Sequence, residues 1–283
     1  MAFKMGFAAD NEASTERKEE AQGYEPVVQE PRRSIVQVHF DDRGMTLSYY
    51  NDLFDLKRGD IVYVDGKLEG LRGRVVSVNY NFKIKLSDYQ KVIAVADTSV
   101  RGTLYMACSH FVSFDRGVIP REKIARWFLP PVKPEDEYVS GNDGTAFALH
   151  HPEDMKMRWE TVERGRLYYQ DNKIKYLCLD NGKGYAIVEG SRVYEVEFEY
   201  DACEDIITKL TCSCYCDSHC KHEFAVMLQM QETLHWINEH YSEEYEKSRY
   251  FAALGDEVLV CYVLRKERGK VVMFGEGMTL LGK

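Results

Sequence analysis

Residues 212–222 read Cys212-Ser213-Cys214-Tyr215-Cys216-Asp217-Ser218-His219-Cys220-Lys221-His222. In an extended strand residues i and i+2 point the same way, so Cys212 and Cys214 can place two sulfurs on one side of a strand end. Residues 215–219 then reverse the chain, and Cys220 and His222 return a second pair. Behind them residues 223–237 read as a helix, with Phe224, Met227, Leu228 and Leu234 on one stripe. In a regular helix i and i+2 diverge, which puts Cys220 at or before the cap and His222 in the first turn. The positive end of a helix favours thiolates at that point. Three sulfurs and one imidazole make a closed tetrahedral shell suited to one structural Zn²⁺, with Cys212, Cys214, Cys220 and His222 as its ligands. Cys216 and His219 are alternative ligands inside the same loop, and Cys214 with Cys216 repeats the Cys-x-Cys spacing. The register is therefore open; Cys212 and Cys214 are preferred because they extend the preceding strand. Zinc contributes roughly 10–16 kcal/mol to the folding of small finger peptides, against a total stability of about 5–15 kcal/mol for a whole domain. Loss of one ligand is thus expected to unfold the local strand-to-helix joint.

Upstream, short β patterns cover residues 167–170, 174–179, 185–189, 193–200 and 206–212. The fourth alternates: Tyr194, Val196, Phe198 and Tyr200 on one side, Glu195, Glu197 and Glu199 on the other. A helix is expected over residues 152–163, with Pro152 in its first turn. A second is expected from residue 242 to 254, stopped by Gly255. Residues 258–264 and 271–274 read as a closing hairpin. The spacing Cys-x-Cys-x5-Cys-x-His resembles the SWIM-type zinc finger. The stretch from Cys220 to Leu228 is similar to that family's helix start. Gly165-Arg166-Leu167-Tyr168-Tyr169 and the stretch from Val188 to Val196 resemble the strands that precede the finger in bacterial SWIM proteins. The resemblance covers residues 158–237 and implies zinc-dependent binding to DNA or to other proteins rather than catalysis.

The first half is expected to be different. Residues 1–33 carry six glutamates and few apolar side chains, which reads as a disordered acidic tail. From residue 34 short strands alternate with Gly, Asp and Asn turns: 35–40 and 45–50 as a hairpin, then 60–64, 73–78, 82–86 and 92–96, with a further pair between 102 and 114. This predicts a small β barrel over residues 34–130, with one or two helical turns at 120–128. The segment around Arg58-Gly59-Asp60 and Gly70-Leu71-Arg72-Gly73-Arg74 resembles KOW or SH3-like barrels. Residues 131–151, rich in Pro and Gly, are the expected linker to a second domain over 152–283. The whole is expected to be α+β: an SH3-like barrel, then an antiparallel sheet with the zinc finger and C-terminal helices.

Charge narrows the partners. The chain carries a net charge of −9, so any nucleic-acid contact must come from a local basic face. Residues 158–235 hold nine basic against fourteen acidic side chains, a poor footprint for DNA. Residues 57–91 reverse the balance, eight against four. There Arg72, Arg74, Lys83 and Lys85, with Phe82 to stack on bases, are the candidate nucleic-acid residues. A protein partner ranks first and nucleic acid second, with an uncharacterised enzyme as the remaining alternative. No Gly-rich phosphate loop, Gly-x-Ser-x-Gly elbow or His-Glu-x-x-His helix occurs, so no catalytic residue or small-molecule substrate is expected. The longest apolar run is seven residues, 258–264, against about 20 for a membrane span. Residues 1–10 lack the apolar core of a secretory signal. Clustered thiols then point to a reduced, cytoplasmic setting. Cys108, Cys178, Cys203 and Cys261 are expected as small buried apolar side chains.

Overall fold

A computed structural model describes residues 31–264, 270–274 and 277–281; the acidic-tail expectation for residues 1–33 lies, up to residue 30, outside them. The chain is a mixed α+β structure built on two antiparallel sheets. Strands β1 (Ser34–Phe40), β2 (Met45–Asn51), β3 (Ile61–Val64), β4 (Gly73–Asn79) and β5 (Val92–Ala96) form the first, in the order β2-β1-β4-β3-β5. Val36, Val38, Phe40, Val62, Val64 and Val75 close its core. Gly73 is required where β4 crosses β1, because a Cβ there would lie 2.3 Å from Val38 Cγ1.

This sheet is open, where a closed SH3-like barrel was expected. Its two edge strands meet at a single bridge, Tyr50 with Lys91. β2 ends at Asn51, whose amide donates to the Phe54 carbonyl and to Ser34 Oγ and whose oxygen accepts the Phe54 N–H, a turn that closes the strand. The strand expected over residues 82–86 is also absent. Asn79 Oδ1 accepts the Asn81 N–H, an Asx turn that ends β4, and only a 3₁₀ turn follows at Leu86–Asp88.

The second sheet has ten strands. Its members are β6 (Gly102–Ala107), β7 (His110–Ser113), β8 (Phe147–Ala148), β9 (Ile174–Asp180), β10 (Lys183–Glu189), β11 (Val193–Asp201), β12 (Ile206–Cys212), β13 (Tyr250–Gly255), β14 (Lys270–Phe274) and β15 (Gly277–Leu281). Their order is β14-β15-β6-β7-β13-β9-β10-β11-β12-β8. The helices are α1 (Arg121–Phe128), α2 (Trp159–Gln170), α3 (Lys221–His240), α4 (Ser242–Ser248) and the single turn α5 (Asp256–Val258). One face of the sheet buries Leu177, Ala186, Val196 and Phe251 against Phe224, Met227 and Met230 of α3. The other buries Tyr176, Tyr185 and Ala252 against Ile124 and Trp127 of α1. Strands β9, β10 and β13 are thus covered on both faces. Hairpin β6–β7, from the first half of the sequence, joins this sheet by pairing with β13 and β15.

Several elements differ from expectation. Residues 250–254 form β13 rather than the end of a helix: α4 stops at Ser248, and Arg249 takes φ +50° before the strand begins. Residues 258–264 coil through α5 and a π-helical turn at Leu259–Leu264, and β14 pairs with β15 instead. The helix expected over 152–163 is split. Pro152–Met155 is a 3₁₀ turn ended by Lys156 at φ +52°, and α2 starts at Trp159. Residues 167–170, expected as a strand, are the last turn of α2. Among the described residues no helix is long and apolar enough to cross a membrane.

His110 lies fully buried on β7. Its Nε2–H donates to the Ile174 carbonyl (2.8 Å), and Ser109 Oγ lies 3.0 Å from Nδ1. Burial, the largest influence, holds its pKa below the ordinary 6.5. Below pH 6.5 the unfolded chain therefore takes up a proton that the folded chain refuses. The stability this group contributes is fully present above that pH and is lost as pH falls below it. Urea midpoints measured from pH 8 to pH 5 should fall less steeply in His110→Gln than in the parent chain.

Candidate metal centre

The site forms where β12 ends and α3 begins. β12 pairs with β11, but the register slips between Glu197 and Glu199, and Lys209 opposite takes φ +51°. This bulge changes the side-chain parity of the strand. Ile207 faces the core before it; Leu210, Cys212 and Cys214 pack against the α3 side after it. Without the extra residue the two cysteines would point away from the helix.

Cys220 is the N-cap of α3, and His222 lies in its first turn. A capping box closes this end: the Cys220 sulfur accepts the Glu223 backbone N–H, and the Glu223 carboxylate accepts the Cys220 N–H at 2.7 Å. The ligand atoms of Cys212, Cys214, Cys220 and His222 all lie within 4.8 Å of one another, and all four residues are wholly or partly buried. His222 Nδ1 stands 3.7 Å from Cys212 Sγ and 3.6 Å from Cys220 Sγ. A tetrahedral zinc with Zn–S of about 2.3 Å and Zn–N of about 2.0–2.1 Å has S···N edges of about 3.6 Å, so the donor spacing fits one metal ion.

Two tyrosines hold the imidazole. Tyr194 of β11 stacks on it, with centroids 4.0 Å apart, and Tyr168 of α2 meets its edge at 5.3 Å. Gly165 lets α2 approach, since a Cβ there would lie 2.8 Å from Phe224 Cδ1. The run Gly165-Arg166-Leu167-Tyr168-Tyr169, likened to a strand above, is thus helical and supplies one wall of the site. Burial pushes the His222 pKa down to about 4, so its ring is neutral with a lone pair to give. Burial, and then Cys220, pushes the Cys214 thiol up to about 12; its interaction with Cys212, followed by burial, pushes Cys220 up as well. A bound metal would deprotonate these thiols outright. His222 Nε2 is buried without a hydrogen-bond partner.

Cys216 and His219 stand outside the four converging donors. Cys216 is exposed, and its backbone interacts with the Cys214 sulfur. His219 Nδ1 lies 3.2 Å from Glu223 Oε2, and Nε2 lies 3.8 Å from Asp143 Oδ2. The role of Glu223 was missed in the sequence, although Cys220-Lys221-His222-Glu223 has the spacing of a capping box. Of the other cysteines Cys178 is buried as expected and Cys261 partly so. Cys108 and Cys203 are exposed, because both sit in tight turns at strand ends.

The candidate nucleic-acid residues differ in their surroundings, Lys83 and Lys85 being exposed and Arg72 and Arg74 half-buried. The Arg72 guanidinium donates to Glu189 Oε1 at 2.9 Å, lies over the rings of Phe128 and Tyr262, and keeps only 19% of its side chain exposed. Arg74 also lies over Tyr262. Phe82 packs edge-on against Tyr50. Lys83 and Lys85 sit on the irregular segment after β4, Lys85 beside Asp88. A cleft of about 840 Å³ adjoins the metal ribbon between α1 and β10–β12, lined in part by Arg121, Tyr185, Glu195 and Cys212. Within it Arg121 pairs with Glu197, and the Tyr185 hydroxyl donates to Glu195.

Two outcomes test this geometry. Lys209→Gly, which suits the positive φ, should leave metal binding intact, whereas deletion of Lys209 should abolish it; metal content after gel filtration decides. With metal bound, N-ethylmaleimide should label Cys108, Cys203 and Cys216 rapidly. Chelation should add Cys212, Cys214 and Cys220, while Cys178, buried and with its thiol pushed up to about 11, stays unlabelled in the folded chain. Comparison with family models, with curated proteins and with solved structures finds no match.

Proposed function

We propose that the chain is a SWIM-type zinc protein acting as a non-catalytic interaction module, with a protein as its first partner. The observation that carries this reading is the convergence of Cys212, Cys214, Cys220 and His222 within 4.8 Å at a strand-to-helix joint. Three sulfurs and a neutral imidazole are the donor set of a closed structural zinc site. With four protein ligands no position remains for an activated water, so the reading assigns the metal to architecture rather than to hydrolysis. Bound zinc would freeze the loop whose tip is Tyr215, 90% exposed with Arg192 stacked 4.5 Å from its centroid. An exposed aromatic beside a guanidinium on a rigid loop suits the anchor of a protein contact.

A protein partner precedes nucleic acid because the region around the site is acidic and because Arg72 is spent on Glu189. We assign the chain to the cytoplasm on its clustered thiols. Elemental analysis should find one zinc per chain, and Cys220→Ser should lose it. Tyr215→Ala should keep the zinc and the fold but lose the partner in cross-linking. Binding of a mixed-sequence oligonucleotide that weakens with salt and with Lys83→Glu would favour nucleic acid instead.

A further inference from the structure

The buried acid of the capping box has a second contact that the metal reading does not use. Glu223 is 5% exposed, yet it lies beside the Cys220 thiol, where a negative charge works against thiolate formation. Its Oε2 receives two donors: the Cys220 backbone N–H at 2.7 Å and His219 Nδ1–H at 3.2 Å. His219 is the last residue of the loop that leaves Cys214 and returns at Cys220, and its side chain is 11% exposed. The other ring nitrogen, buried without a hydrogen bond, lies 3.8 Å from Asp143 on the segment that leads into β8. One carboxylate oxygen thus ties the loop to the first turn of α3 at the place where the metal loop would have to open.

We propose that Glu223 is a positioning residue of the metal centre: through His219 it latches the loop carrying Cys214 onto the N-terminus of α3 and slows the escape of the metal. The proposal rests on the metal reading above. Cys220 and His222 are fixed by the helix and Cys212 by the sheet. Cys214 is the ligand on the loop itself, so it is the one whose departure begins release. His219 closes the far end of that loop, so its hydrogen bond to Glu223 would restrain the segment on which Cys214 would have to lift from a bound metal. Partners of this kind, which orient ligands without touching the metal, alter metal affinity by about 10–100-fold.

The test uses the full chain loaded with zinc and mixed with an excess of a chromogenic chelator, the release rate being read by absorbance. Glu223→Ala and His219→Ala should each release zinc roughly tenfold faster than the parent. Glu223→Gln keeps an acceptor oxygen and should stay within about threefold of the parent rate. His219→Ala leaves the capping box intact, so it reports the latch even if Glu223→Ala folds poorly. Two results overturn the latch alone. One is a parent-like release rate in His219→Ala, and the other is a lowered melting temperature in Glu223→Ala without faster release. A parent chain that carries no zinc overturns the metal reading itself, and the stoichiometry measured before chelation tells the two failures apart.

Discussion

The joint between β12 and α3 must meet two demands that oppose each other. It has to end a strand and start a helix, which leaves the first N–H groups of the helix without partners. It also has to keep three sulfurs and a ring nitrogen free to converge. Cys220 meets both: its sulfur takes the Glu223 N–H as a cap while still facing His222 Nδ1 at 3.6 Å. The Glu223 side chain returns the favour at the Cys220 N–H, and the Tyr194 and Tyr168 rings fix the imidazole plane. Each donor is therefore placed by a different element, β12, the loop, the cap or the first helical turn. A bound cation would be the common point that joins them.

The sheet beneath makes this placement rigid. β9, β10 and β13 are buried on both faces, so their positions are set by packing on α3 from one side and on α1 from the other. β11 carries the alternation outward: Tyr194, Val196 and Phe198 face the α3 core, while Glu195 and Glu197 face the cleft. Gly184 lets β10 run under Phe198, since a Cβ there would stand 2.2 Å from the Phe198 ring. Across the molecule Arg72 spans from the first sheet to Glu189 at the end of β10. A side chain that looked like a nucleic-acid contact is thereby turned into a strut between the two sheets.

The sequence made the local chemistry legible better than the long-range pairing. The cysteine spacing, the alternation of β11 and the helix behind Cys220 could all be read, because each depends on neighbours within a few residues. β13 could not. A strand buried on both faces loses its period-2 signature, and Tyr250-Phe251-Ala252-Ala253-Leu254 then reads equally well as a buried helix. The Leu259–Leu264 turn failed for the converse reason, a continuous apolar run that coils instead of extending. The bulge at Lys209 leaves no mark in composition, yet it decides which face Cys212 and Cys214 occupy. The turn that the Asn51 side chain closes after β2 is likewise a local choice that no periodicity records.

The place of β13 has a consequence for anyone who would divide this molecule. The strand follows α4 in the chain, but it lies between β7, from the first half, and β9, from the second. Cutting out residues 158–237 as a portable finger would remove β13 and strip the edge of β9, uncovering a row of backbone donors beside Tyr176, Leu177 and Leu179. Such a fragment would present a sticky, unprotected border and tend to aggregate, so the finger is inseparable from a strand that lies outside its own stretch of sequence.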